Sequence, residues 1–467
     1  MCMRLRVCMR LRRRRPMMVD IKDFLGLAVD EGLQTGAHKY DGKGDLKGHR
    51  FHLRVDAQGK GVLLIDASKI VFLNGTALDY VRAYLEDWSD KEAVRYIRRR
   101  YKAVDRETAL RHYLNVKTAL NGYLKGDENI IQTIGSESLS MGADALPAPY
   151  RMDLALTYRC QNDCGHCYNE QKDKKELSVD EWKLVIDKLW DVGVPHIVFT
   201  GGEPILYQGL DQLVAQTEEH GQVTGLITNG RGLAKPGYLK ELVRIGLDHV
   251  QVSVLSKDAS AHDKLTCSPG SWEETVLGLK VALGEDLYVS TNTTIMRSNF
   301  ADMEETMRFL VGLGVKNIAF NSIIRSGKGE DAEGVAPEEL SELLPKLKGI
   351  ATESGTNLIW YSPTPYCEFN PINYGLGIKQ CTACALNMAI EPDGSVLPCQ
   401  SYYQSLGNIL KDDWDSIWNN SLCKDIRERK YADGKCADCH LLQVCGGGCP
   451  LSREHGDYVC LDRHSSM

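Results

Sequence analysis

Apolar positions change their spacing twice along the chain, which divides it into three regimes. Short β-rich runs come first, at 49–55, 62–66 and 69–74, interrupted by Asp56-Ala57-Gln58-Gly59. The interval then lengthens to three and four residues. This predicts helices over 75–86 (Leu78, Val81, Leu85), 90–102 (Val94, Ile97, Tyr101) and 106–124, and Ser89 with Glu92 supplies a capping box for the second. Together these runs make a small β-then-α module over 18–124, and the polar stretch at 125–150 reads as a linker.

From Arg151 to Glu353, strand-like runs alternate with amphipathic helices. Strands are expected at 152–157, 196–200, 223–228, 249–255, 287–296 and 317–324; helices at 178–192, 210–220, 239–246, 272–283, 303–312 and 337–352. Sixfold strand–helix alternation implies a parallel sheet with right-handed crossovers, either an open doubly wound sheet or a partial barrel. In a barrel, chemistry belongs at the carboxyl ends of the strands. After Leu358 the alternation stops and cysteine, glycine and proline rise together, so the segment 358–467 needs something other than a large core to hold it, with metal the obvious candidate.

Composition narrows the class. A 43% hydrophobic and 25% charged chain of 467 residues is that of a multi-domain globular protein, and no apolar run reaches the roughly 20 residues of a membrane helix. A net charge of -7 argues against nucleic acid as the partner. Residues 1–17 are arginine-rich without the apolar core of a secretory signal, and read as a basic tail or as a misassigned start with Met17 or Met18 as the true one. The expected location is cytoplasmic. There, sixteen cysteines mean metal more readily than disulfides.

The cysteines have a pattern. Cys160, Cys164 and Cys167 directly follow the first strand of the alternating region, and three thiolates at this spacing can wrap a cuboidal [4Fe–4S] cluster whose fourth iron stays open for a ligand. A zinc site completed by His166 is the alternative on this segment alone. The next strand ends in Gly201-Gly202-Glu203-Pro204, where glycines admit close backbone approach and Glu203 can pair with an ammonium group.

With these motifs the chain resembles the radical SAM superfamily over about 151–353, which implies an α/β fold with a partial (β/α)6 barrel as the core, 151–357. The resemblance makes Cys160, Cys164 and Cys167 the catalytic cluster ligands. It assigns Gly201, Gly202, Glu203 and Pro204 to the methionyl amino group of S-adenosylmethionine and points more weakly to Ser253, with Thr228, Asn229 and Asn292 as similar cases. His166 stands where the family often has an aromatic residue. The cysteine-rich segment is similar to a SPASM domain, an iron–sulfur extension of many maturases. That likeness implies one auxiliary cluster on Cys381, Cys384, Cys399 and Cys449 and another on Cys436, Cys439, Cys445 and Cys460, with Cys367 an alternative to Cys384 and zinc ribbons the alternative to clusters. The N-terminal module resembles the PqqD-like peptide-recognition element, or a generic winged helix. The expected cofactors are therefore S-adenosylmethionine and three [4Fe–4S] clusters. The expected activity is hydrogen abstraction by a 5′-deoxyadenosyl radical from a peptide or protein, for crosslinking or oxidation, with a leader peptide on the N-terminal module and an external electron donor such as flavodoxin or ferredoxin. Maturation of a small cofactor such as a modified tetrapyrrole, or electron carriage without turnover, are the alternatives.

Overall fold

In the computed structural model, residues 32–56, 59–65, 69–124, 147–169, 174–432, 434–436 and 438–456 are described. The arginine-rich start, most of the expected linker, Cys2, Cys8 and Cys460 lie outside them. The first unit is a four-stranded antiparallel sheet, β1 (Gly36–Asp41), β2 (Arg50–Val55), β3 (Gly61–Ile65) and β4 (Lys69–Leu73), in the order β1-β2-β3-β4. Helices α1 (Gly75–Leu85), α2 (Asp90–Arg100) and α3 (Arg106–Leu124) follow. Ser89 and Glu92 do cap α2 reciprocally, the Ser89 amide donating to the Glu92 carboxylate at 2.9 Å. Phe51, Leu53 and Leu63 from the sheet and Leu78, Val81, Ile97 and Tyr113 from the helices form its core. Strand β1 is unexpected, because Gly-Ala-His-Lys-Tyr-Asp has no apolar alternation; its side chains are half-buried.

The second unit begins with β5 (Arg151–Thr157) and runs through α4 (Val179–Asp191), β6 (His196–Gly201), α5 (Leu210–His220), β7 (Val223–Thr228), α6 (Tyr238–Arg244) and β8 (His249–Ser253). It continues with α7 (Ala259–Thr266), α8 (Ser271–Leu283), β9 (Tyr288–Ile295), α9 (Met303–Gly312), β10 (Asn317–Ser322), α10 (Pro337–Ser354) and β11 (Asn357–Trp360). Strands β5 to β11 pair in parallel, each with its sequence neighbour. The expected alternation is present with two additions, the polar helix α7 and the seventh strand β11, which crosses the expected boundary at 357. The sheet also extends past β5: β12 (Asn387–Ile390) pairs with it in parallel, and β13 (Ser395–Leu397) and β14 (Gly407–Asn408) continue antiparallel. The cysteine-rich segment is thus hydrogen-bonded into the main sheet. Met388, Ile390, Val396, Trp414, Ile417 and Trp418 join the core of the barrel, so apolar burial holds this segment as well as any metal.

The N-terminal sheet docks on the rim where the parallel strands begin. Lys39 pairs with Glu218 at 2.8 Å, Arg50 with Asp248, and His52 Nε2 lies 2.6 Å from the Gly221 carbonyl oxygen. Buried Arg54 donates to the carbonyls of Ala148 (3.0 Å) and Pro149 (3.2 Å), and its guanidinium lies over the Tyr150 ring. Half-exposed ion pairs such as Lys39–Glu218 contribute only about 0–1 kcal/mol each, so the buried Arg54 contacts are the stronger part of this junction.

Candidate active site at the carboxyl ends of the parallel strands

The loop after β5 carries Cys160, Cys164 and Cys167, and neighbouring elements hold it from both sides. The amides of Asp163 and Gly165 donate to the carbonyls of Thr266 and Leu265 at the end of α7, while the Lys328 amide donates to the Cys167 carbonyl and its ammonium pairs with Asp163. Cys160 is open to a cavity and the other two thiols are half-buried. Burial, with mutual repulsion among the three thiolates, raises Cys164 to about 12. Burial is also the main cause of the upward shifts at Cys160 and Cys167. Three thiolates can be gathered here only with strong positive charge among them, which is the donor chemistry of an iron–sulfur cluster. Among the described residues no three His, Cys, Asp or Glu side chains converge on one point as a single ion requires; a cube takes one thiolate at each corner and asks for no such point.

Gly201 and Gly202 line the same cavity, and the backbone explains them. The Gly202 amide donates to the Thr157 carbonyl at 2.7 Å and the Glu203 amide to the Arg159 carbonyl at 2.8 Å, so the two loops run against each other. A Cβ at Gly201 would stand 2.2 Å from the Thr157 oxygen, and at Gly202 2.4 Å from that of Arg159. Glu203 behaves differently from expectation. Its carboxylate is fully buried and accepts from the Asn229 amide and the Thr228 hydroxyl, both at 2.8 Å, and from the Ile205 amide at 3.2 Å. It braces the end of β7 and, like buried Pro204, is not among the residues lining the cavity. Burial outweighs these hydrogen bonds and raises its pKa to about 7.

The cavity has a volume of about 580 Å³, within the ordinary range for small-molecule sites. Ser253, Asn229 and Asn292 line it, together with residues that the sequence did not single out: Gln251, Thr294, Asn321, Tyr361 and Gln400. A signal for several of them existed. Gln251 and Ser253 alternate with valines on β8 and so share one face, as do Asn292 and Thr294, two apart on the polar strand β9. The side-chain oxygens assigned to Asn292 and Gln400 are buried without partners, as a polar ligand would require. Downward, the cavity reaches Arg151, His196 and Tyr150, and Leu64 of β3 contributes to its wall, so the N-terminal sheet closes part of its lower end.

In the cysteine-rich segment, Cys381, Cys399 and Cys449 lie close enough for their charges to interact, and burial raises Cys381 to about 12. Cys439 and Cys445 form a second neighbourhood, in which Cys445 accepts from the Tyr366 amide; Cys436 accepts from Arg453 at 2.9 Å. One expected ligand sits elsewhere: Cys384 is joined to Cys423 in a disulfide, with Cα atoms 5.2 Å apart, rather than standing free beside Cys381. The backbone that meets Cys445 is that of Tyr366, immediately before Cys367. Tyr403, near Cys399, donates to Asn169, whose amide donates to the Gly201 carbonyl. That chain of contacts couples the segment to the upper site.

Comparison with known proteins decides the family. A profile for the Radical SAM superfamily matches residues 154–310, and a SPASM profile, an iron–sulfur cluster-binding domain, matches 381–440. The chain is a radical SAM enzyme with a SPASM domain. It is 25% identical over 318 residues to an AdoMet-dependent heme synthase of Methanosarcina barkeri (64% of this chain, 91% of that protein). It is 27% identical over 315 residues to the PqqA peptide cyclase of Rhizobium meliloti (64% and 82%). Its fold matches that of SuiB from Streptococcus suis, solved with the precursor peptide SuiA, with a TM-score of 0.63 at 17% identity over 86% of this chain and 94% of that one. A radical SAM/SPASM architecture implies S-adenosylmethionine and iron–sulfur clusters, and the thiol loop, the glycine pair and the unpartnered polar side chains of the cavity fit them. No helix among the described residues is long and apolar enough to cross a membrane.

Proposed function

We propose that this radical SAM/SPASM enzyme modifies a peptide or protein, abstracting a hydrogen atom to crosslink or oxidise a side chain. In this reading Cys160, Cys164 and Cys167 hold the catalytic cluster. Gly201, Gly202, Ser253, Asn229 and Asn292 bind the cofactor, while Glu203 and Pro204 shape the loop beneath it. Bound there, S-adenosylmethionine supplies on reduction the 5′-deoxyadenosyl radical that abstracts hydrogen. The chain's own part is to orient the substrate and exclude water, which the partial closure of the cavity's lower end by the N-terminal sheet favours. Cysteines 381, 399, 436, 439, 445, 449 and 460 would hold two auxiliary clusters offering an electron path outward from the substrate, while an external donor such as a flavodoxin or ferredoxin would supply the reducing electron to the catalytic cluster. With Cys384 and Cys423 both as thiols, Cys384 would be available as a further ligand.

The observation that carries the peptide reading is the N-terminal sheet. β4 stands at one edge of that sheet, to which an extended leader could add as a strand, and Leu64 of β3 reaches the wall of the catalytic cavity. The kinship to a PqqA peptide cyclase supports this. The similar kinship to a heme synthase favours a second reading, maturation of a tetrapyrrole. Anaerobic incubation of reconstituted, reduced protein with S-adenosylmethionine tests the chemistry. Release of 5′-deoxyadenosine is expected, and its absence refutes the reading. A mass change in a short peptide encoded beside the gene, against none in a porphyrin, decides between the substrates.

A further inference from the structure

The lower half of the cavity holds a charged group that the cofactor chemistry does not use. Arg151 and Asp153 lie two apart on β5 and so face the same way, and the Arg151 Nε donates to Asp153 at 2.5 Å. Asp153 is 2% exposed, whereas a third of the Arg151 side chain stays accessible and lines the cavity. The terminal nitrogens of Arg151 have no hydrogen-bond partner among the described residues. Other positive charge is absent here: Arg151 is the one Lys or Arg among the described residues lining the cavity, and the histidines around it are held neutral by burial. His196 lies well below its ordinary value, and its partner His249 is pushed down to about 3. Tyr361, 45% exposed, stands beside the guanidinium.

A guanidinium whose Nε is fixed by one carboxylate presents its other two nitrogens as a planar fork, the geometry that grips a second carboxylate at two points. Leaving that fork unmatched inside a cavity is costly, so its presence there is informative. We propose that Arg151 is a specificity residue that anchors a carboxylate of the peptide substrate in the lower barrel, below the thiol loop. The proposal rests on the peptide reading above. It favours a side chain or chain terminus over a macrocycle, because the cofactor takes up part of the same cavity.

The test is a binding measurement on the full chain, reconstituted with iron and sulfide and saturated with S-adenosylmethionine but given no reductant, so that it does not depend on turnover. The probes are N-acetylglutamate α-amide (side-chain carboxylate), N-acetylglycine (terminal carboxylate), the neutral N-acetylglutamine α-amide and coproporphyrin III, followed by saturation-transfer NMR. At least one blocked acid should bind about tenfold more tightly than the neutral amide, and which acid does so tells the source of the carboxylate. The preference should vanish in Arg151→Gln and survive in part in Arg151→Lys. Since Arg151→Gln leaves Asp153 buried without its partner, the double variant Arg151→Gln/Asp153→Asn is read in its place if the single one does not fold. Equal binding of acids and amide by the wild type, a preference that outlives Arg151→Gln, or Arg151-dependent binding of coproporphyrin alone overturns the proposal. Failure to release 5′-deoxyadenosine under reduction bears on the proposed function and leaves this result standing.

Discussion

At the scale of single residues, the site depends on two kinds of constraint, backbone approach and buried charge. Gly202→Ala places a methyl 2.4–2.5 Å from the carbonyl oxygens of Arg159 and Tyr158, so the two loops must separate. We expect a loss of about 1–3 kcal/mol in stability and a fall in the iron bound by the upper loop, measured by denaturant unfolding and metal analysis. Glu203 gives a pH signature. The folded protein holds its proton more tightly than the unfolded chain, so its contribution is most favourable below pH 4.5, declines between pH 4.5 and about 7, and is constant above. Relative to Glu203→Gln, the wild type should lose up to about 3 kcal/mol across that window, seen as converging or crossing unfolding midpoints against pH. The cysteine triplet was legible in the sequence because ligand spacing along a loop is local. The orientation of Glu203 was not, since it is decided by the Thr228 hydroxyl and the Asn229 amide at the end of β7, more than twenty residues away. Arg151 escaped notice for a similar reason: a strand's first residue gives no sign of whether it faces solvent or the inside of a barrel.

At the scale of elements, long periodic segments were legible and short polar ones were not. Helix α5 falls where its apolar spacing placed it, at Leu210–His220, whereas α7 buries only His262 and Thr266 and so carries no apolar stripe. Strand β11 is four residues long and sits where the composition begins to change. Capping is testable at this scale. Ser89→Ala removes both the side-chain acceptor for the Glu92 amide and one half of the box, and should cost about 1 kcal/mol, visible as faster hydrogen exchange in the first turn of α2. Arg54→Met should loosen the seam between the N-terminal sheet and the barrel, because the Ala148 and Pro149 carbonyls lose their donor. The expected result is faster exchange in β2 and β3 with little change in β9 and β10.

At the scale of the molecule, the barrel and the cysteine-rich segment share one sheet and one core. Trp414 stacks on Trp418 with ring centres 6.0 Å apart and donates its indole N–H to the Pro147 carbonyl at 2.8 Å, tying the segment to the chain entering β5. Trp414→Ala should therefore cost about 3–5 kcal/mol and lower the unfolding midpoint of both parts in a single transition. Two separate transitions would contradict the shared core. The central claim is that three thiolates at the top of β5 hold the cluster that cleaves the cofactor, and its most direct test is 5′-deoxyadenosine released per chain by reduced protein. The wild type, with about twelve irons if three cubes are present, should release it, and the triple variant Cys160→Ala/Cys164→Ala/Cys167→Ala, keeping about eight, should release none. Undiminished release by the triple variant would contradict the account.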